Sequence, residues 1–433
     1  MRKKSIIVSN RFSNMNILDA NIGSAKDNMS SPVHNWYKFT AGFSYKFVDI
    51  ILEDYRGQDI VVYEPFAGCG TTLVECQKLG FRSIGNESQE LMCNVIHAKL
   101  NWTLTKQQFT RAINNIGKYV EENKGTAKTA AKFHPLLVTL YDEPSLRELY
   151  CIRDGIKLLQ NKEVQQFFNL ALSQTLHKAA IHPIAVPYIS RSKFLADSGK
   201  AWEKFQMIAG QMYDDMQMMP HHEQLATVYN WDSRVKNEAV SDASCGLCIT
   251  SPPYLNNLDY GEVSKVHSHF FEMTNDWNDI TEKVRRKLVT GATTHYRDTE
   301  FVMEEFAKKE FAQRNPDTLE KLVELYDRIK ANAKQRKGKK SFHILMMHYF
   351  EDMYHVLKEM RRVLREGSEA YLILGDSAPY GIYVPTTQIL GDIALSVGFA
   401  EYSIHKIRSR GDKWKTLKNR HNIALSENIL ILR

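Results

Sequence analysis

The sequence predicts a doubly wound α/β protein, a mostly parallel sheet with helices on both faces and two largely helical insertions. Three observations carry this reading. The run Asp59–Tyr63 ends in a glycine-rich turn, Phe66–Gly70, which opens a helix over Thr71–Leu79, and Phe81–Gly85 then supplies a second apolar run. Strand, turn, helix and strand in that order make a βαβ unit with parallel pairing. Further strand-like runs at 226–229, 246–250, 370–374, 402–407 and 428–432 are interspersed with helical segments. Two long stretches, at about 107–223 and 275–341, read as helical and carry no strand signature. The sheet is therefore expected from residues 1–106, 224–274 and 342–433, with insertions at 107–223 and 275–341.

Composition narrows the class. The chain has 433 residues, 43% hydrophobic and 25% charged, which excludes a mainly disordered polymer and leaves room for two or three structural units. It contains no uncharged apolar run of about 18 residues, so no membrane span is expected. The N-terminal basic residues precede only three apolar ones, too few for a secretory signal. The six cysteines are irregularly spaced, which points to a reducing compartment rather than a disulfide framework. Net charge is +7, but it is concentrated: residues 281–340 hold 16 Lys/Arg against 10 Asp/Glu, and 401–433 hold 8 against 3. Localised basic surface of this kind suits contact with phosphates, and it also suits ordinary solvated faces.

The first motif is Glu64-Pro65-Phe66-Ala67-Gly68-Cys69-Gly70-Thr71-Thr72. Glycines between a strand and a helix let the backbone approach a ligand, and the helix start offers free N–H groups. Glu87, just past the second strand, stands where an acid accepts ribose hydroxyls in nucleotide-binding folds. The spacing is not G-x-G-x-x-G, and no Gly-Lys-Ser/Thr follows, so neither a nicotinamide site nor a P-loop is expected. Cys245 and Cys248 form a CxxC without a second pair or histidine cluster, so no metal site is expected. The absence of a Pro-Cys dipeptide disfavours attack on a ring carbon by cysteine.

Residues Pro65–Thr72 resemble the DPFxGxGTT loop of the S-adenosylmethionine-dependent DNA amino-methyltransferases, with Glu64 in the place of the usual Asp. The stretch His34–Phe39, with Phe43 and Phe47 beyond it, resembles the family segment that closes over the same cofactor. The resemblance covers about half the chain and implies a class I methyltransferase-like core. It implies S-adenosylmethionine contacts from Tyr37, Phe39, Glu64, Phe66, Ala67, Gly68, Gly70, Thr71, Thr72 and Glu87. Asp232, after the 226–229 strand, matches the acid that meets the cofactor's adenine amine; a turn or N-cap aspartate is the other reading.

The second motif, Ser251-Pro252-Pro253-Tyr254, follows the strand at 246–250 and so lies at the carboxyl end of the sheet, where ligands bind. Adjacent prolines stiffen the turn and leave carbonyls free to accept. An exocyclic base amine is a poor nucleophile because its lone pair is delocalised. Hydrogen bonds from that amine to Ser251 and the Pro252 carbonyl favour a pyramidal nitrogen, and Tyr254 offers a face to a flipped base. The tetrad resembles the cytosine-N4 branch of the family, with adenine-N6 as the alternative. Asn256, Asn257, Asp259, Tyr260 and Asp376 are further candidates near the pocket. The implied partner is double-stranded DNA, contacted through one or both insertions, in a prokaryotic cytoplasm beside a cognate restriction endonuclease as a genetic partner. An RNA amino-methyltransferase and an inactive DNA-binding subunit are the remaining readings.

Overall fold

Short, near-continuous apolar runs build a sheet buried on both faces. The computed structural model describes residues 22–39, 41–125, 133–184, 189–220, 224–295, 301–337, 339–410 and 423–433. Within them β1 (Val61–Glu64), β2 (Arg82–Glu87), β3 (Ala226–Asn230), β4 (Cys245–Thr250), β5 (Leu364–Gly375), β6 (Tyr402–Arg410) and β7 (Leu425–Leu432) form one sheet. Its order is β3-β2-β1-β4-β5-β7-β6. β7 runs antiparallel to β5 and β6, and the other pairings are parallel. This is a class I methyltransferase-like α/β fold, and each of the expected strands is present.

The helices are α1 (Tyr45–Glu53), α2 (Thr71–Lys78), α3 (Glu90–Leu100), α4 (Lys106–Asn123), α5 (Glu143–Lys157), α6 (Lys162–Ala179) and α7 (Ala201–Gln217) before β3. After β4 come α8 (Tyr260–Phe270), α9 (Trp277–Lys283), α10 (Pro316–Gln335), α11 (Phe342–Val363) and, following β5, α12 (Thr386–Ser396), with shorter turns between. One sheet face presents Val62, Leu247, Ile249, Tyr371, Ile373 and Ile431 to Phe47, Val48 and Ile51 of α1. The opposite face presents Tyr63, Cys248, Leu372, Leu374 and Leu430 to α11 and α12. A third apolar cluster joins α2 and α3 to α4–α7 and to Ala226 and Val228 of β3. The first helical stretch is thus packed on the β3 end of the sheet. Trp36 adds a tie, donating from Nε1 to Asp215 in α7 at 3.0 Å.

Two boundaries differ from expectation. β5 begins at Leu364, although Arg365 and Glu366 read as the end of a helix and its turn. Residues 365–369 are polar and mostly exposed, so they carry no alternation signal, and Gly367 at φ 75° breaks the regular pairing. Helix α10 continues through Lys334 and Gln335, although the run 334–340 reads from sequence as a basic loop, because Ile329 and Ala333 keep its apolar face buried.

Candidate active site

Parallel pairing of β1 with β4, Val62 opposite Leu247 and Tyr63 opposite Cys248, brings both motifs to one edge of the sheet. Glu64 and Thr250 end these neighbouring strands, and the two loops leave side by side. The Glu64 carboxylate, 1% exposed, knots them together. It accepts from the Phe66 N–H at 3.0 Å and from the Thr72 hydroxyl at 2.8 Å, and also from the Thr250 hydroxyl. Burial pushes its pKa up to about 8, against the pull of bonds from Thr250, Phe66 and Thr72.

Gly68 and Gly70 adopt φ 54° and 84°, the left-handed region that turns the chain into α2. A Cβ on Gly68 would stand 3.2 Å from the Phe39 ring, and one on Gly70 would stand 3.1 Å from Ile96. Glu87 ends β2 and faces this turn, taking the Gly68 N–H at 2.8 Å on one oxygen and the Gln89 N–H at 2.8 Å on the other. Burial raises its pKa to about 7, offset in part by those backbone bonds.

A cavity open to solvent lies above the turn. Of the residues singled out from sequence, Phe39, Phe66, Ala67, Gly68, Thr71, Glu87, Asp232, Ser251 and Pro253 line it. Glu64, Gly70 and Thr72 are buried and lie outside its lining, shaping the loop instead. Tyr37 does not reach it; its ring packs 5.6 Å from His267 within the helical core. Asp232 lines the wall with its charge already paired, since Arg234 donates to it from Nη2 at 2.7 Å and from Nε at 3.0 Å. Ser251 donates to the Ile373 carbonyl at 3.1 Å, which leaves its oxygen lone pairs to accept.

Pro252 and Tyr254 line a second cavity, also open to solvent. Ala41, Gly42 and Tyr260 belong to both cavities and form the partition between them. Tyr254 donates to Glu427 of β7 at 3.1 Å, and the Arg410 guanidinium lies 5.0 Å from the centre of its ring. Burial, and then the Glu427 charge, push the phenol well above its ordinary pKa, so it stays a donor. Asn257 also lines this cavity, whereas Asn256 and Asp259 line neither. Asp259 caps α8 through the Gly261 N–H at 3.0 Å and binds Arg285, which donates from Nη2 at 2.7 Å. Burial opposes ionisation there, but bonds from Arg285 and Thr294, with the His295 ring 3.8 Å away, hold Asp259 well below the carboxylate range. Asp376 is also off both walls, bonded to Tyr383 and Ser426 at 2.8 Å each.

Several parts of the first wall were not singled out from sequence, among them Trp231 and the segment Lys287–Val289. Trp231 follows β3 directly and donates its N–H to the Glu87 carbonyl at 3.1 Å. Its place beside Asp232 was the signal available. Lys287, Leu288 and Val289 come from the second insertion and bear no motif. They are fixed by the Asp259–Arg285 pair on one side and, on the other, by Thr290, which donates to Asp352 from N at 2.8 Å and Oγ1 at 2.7 Å. The stretch 182–193, which reads from sequence either as a DNA-facing loop or as an ordinary connection, has residues 185–188 outside the described residues, as 411–422 are within the basic C-terminal stretch. No helix among the described residues is long and apolar enough to cross a membrane.

Comparison with known proteins places the chain among distant relatives. No protein-family model matches it, and no solved structure does so significantly. The Type II methyltransferase M.AvaI of Nostoc sp. is 22% identical over 419 residues, covering 88% of this chain and 82% of its own length. M.BsoBI of Geobacillus stearothermophilus, also a Type II methyltransferase, is 19% identical over 450 residues, 93% of this chain and 86% of its own. The Type II methyltransferase M.MvaI of Kocuria varians is 21% identical over 369 residues, 80% and 76% respectively.

Proposed function

We propose that this protein is a site-specific DNA methyltransferase that transfers a methyl group from S-adenosylmethionine to the N4 amine of cytosine. The observation that carries this is the common cavity of the glycine turn, Glu87 and Ser251, opened by neighbouring parallel strands. The relatives, Type II methyltransferases aligned over most of both chains, support the methyl-transfer part.

The first cavity suits the cofactor. Gly68 leaves room that a side chain would close against Phe39, and Glu87 offers a carboxylate to ribose hydroxyls. Trp231 and Phe39 offer aromatic walls to an adenine ring. Bound there, S-adenosylmethionine supplies an electrophilic methyl on a sulfonium with a good leaving group. The chain's own task is then placement. Ser251, with its proton on the Ile373 carbonyl, accepts from the target amine and directs its lone pair at the methyl carbon. The nitrogen gains the methyl and sheds a proton to solvent. Pro253 is fixed by Tyr349, whose hydroxyl donates to its carbonyl at 3.0 Å, so the turn holds its shape while the base arrives.

The target base is out of reach inside a duplex, so it is flipped into the second cavity beside Tyr254. The basic insertion 275–341 is assigned to phosphate contact, and the helical stretch 107–223 to reading the flanking bases. The enzyme is expected in a prokaryotic cytoplasm as the modifying half of a restriction–modification pair. Mass spectrometry of nucleosides from plasmid treated with enzyme and labelled cofactor tests the reading. N4-methylcytosine supports it; N6-methyladenine alone replaces the acceptor, and no labelled nucleoside overturns the activity.

A further inference from the structure

The second cavity carries a hydrogen-bonding set that the methyl-transfer chemistry does not use. Arg408 and Arg410 project from β6 and Glu427 from β7, all three lining the cavity with Tyr254. Glu427, 2% exposed, sits opposite Gly375 in the β5–β7 pairing. One of its oxygens takes the Tyr254 hydroxyl at 3.1 Å, and the other lies 2.6 Å from Nε of Arg408. Arg408 also donates to the Gly23 carbonyl at 3.4 Å, so its guanidinium is tethered on two sides. Arg410 is seated differently. A Cβ on Gly375 would fall 2.2 Å from its Nη1 and 3.3 Å from the Tyr254 ring, so only glycine there leaves the slot in which Arg410 lies against Tyr254.

Two arginines and one carboxylate give this wall an excess of donors. Cytosine and adenine differ in what they offer such a wall. Once its amine faces Ser251, cytosine still presents two adjacent acceptors, N3 and O2, on the same edge. Adenine presents N1 beside a C2–H, a single acceptor. A guanidinium fork matches two adjacent acceptors and leaves one N–H unpaired against the second base. A buried site built for such a bond rejects the partner that lacks it more strongly than an apolar pocket does.

We propose that Arg410, seated by Gly375 and braced by the Arg408–Glu427 pair, reads the N3/O2 edge of a flipped cytosine and thereby rejects adenine. This rests on the cytosine reading above and adds the residue that selects the base. Arg410 is a specificity residue here, and Glu427 is a positioning residue that holds both the Tyr254 hydroxyl and Arg408.

The test is a cycle of enzyme and substrate changes. After the methylated sequence has been mapped on treated plasmid, kcat/KM is measured on duplexes carrying cytosine or 3-deazacytosine at the target. The analogue keeps the amine and O2 and lacks the N3 acceptor. Wild type is expected to lose about ten- to a hundredfold on the analogue, the usual worth of a bidentate base contact. Arg410→Met is expected to lose a similar factor on cytosine and little more on 3-deazacytosine, so that the losses do not multiply. The change in intrinsic amine reactivity is common to both enzymes and cancels in the cycle. Arg410→Lys keeps the charge and loses the fork; it gives the same pattern and serves if the Met variant is insoluble, with cofactor calorimetry as the check of folding. Losses that multiply, or a wild type indifferent to the analogue, overturn the assignment of Arg410 while N4-methylcytosine as product leaves the cytosine reading standing. N6-methyladenine as the only product removes both.

Discussion

The roles proposed for Ser251 and Glu87 both rest on an oxygen that accepts, from an amine in one case and from hydroxyls in the other, and each can be tested alone. Because the Ser251 proton is committed to Ile373, its oxygen is an acceptor only. Ser251→Ala is expected to lower kcat by about ten- to a hundredfold, the scale of one hydrogen bond to the reacting group. Cofactor affinity by calorimetry should stay within about twofold; equal losses in both would remove the assigned role. Glu87 must be ionised to accept two hydroxyls, and burial holds its pKa at about 7. A raised carboxyl pKa keeps the group protonated below that value, so cofactor affinity is expected to climb as pH rises through about 7. Glu87→Gln should bind weakly with a flat profile; an unchanged slope in that variant would exclude Glu87 as its source. That both residues line one cavity was legible because they stand in short motifs at strand ends. Tyr37, two positions before Phe39, lies outside that lining because its ring packs against His267 in the helical core.

At the scale of elements, the loop Pro65–Gly70 and the segment Arg285–Val289 are shaped by forces that sequence reveals unequally. The glycine turn announces itself. Gly68→Val must bear a left-handed φ and a contact with Phe39, a strain of about 1–2 kcal/mol before the ligand is considered. It is expected to abolish cofactor binding in calorimetry while the circular dichroism spectrum keeps its helical signal; retained affinity would move the site elsewhere. The wall Lys287–Val289 has no signature, because it is placed by the pairing of Asp259 with Arg285, 26 positions away. Arg285 is 2% exposed, so Asp259→Ala leaves a buried charge without its partner. A loss of about 3 kcal/mol in denaturant titration is expected, together with weaker cofactor binding; a neutral effect would show that the segment is held by other contacts. The strands were legible as short apolar runs set between helical segments. The polar half of β5 was not, since nothing buried marks it.

For the whole molecule, charge and core tell different stories about the two insertions. The five cations Lys334, Arg336, Lys337, Lys339 and Lys340 cluster at the end of α10 and just beyond it. Their replacement by alanine is expected to weaken duplex binding and to flatten the dependence of log K on log salt by about 0.9 for each phosphate no longer neutralised. An unchanged slope would return them to ordinary surface. The earlier insertion shows no such charge signature, and only the order of the sheet could reveal where it packs. Its helices α4–α7 close over α2, α3 and β3 in one continuous apolar cluster. That continuity has an engineering consequence. Residues 107–223 are not a detachable reading head: a chimera exchanging them for another enzyme's segment would strip the lid from β3 and leave its neighbours wet. Retargeting by wholesale transplant should therefore give insoluble protein, and altered site preference is better sought by replacing exposed side chains on the outer faces of those helices, which leaves the apolar cluster intact.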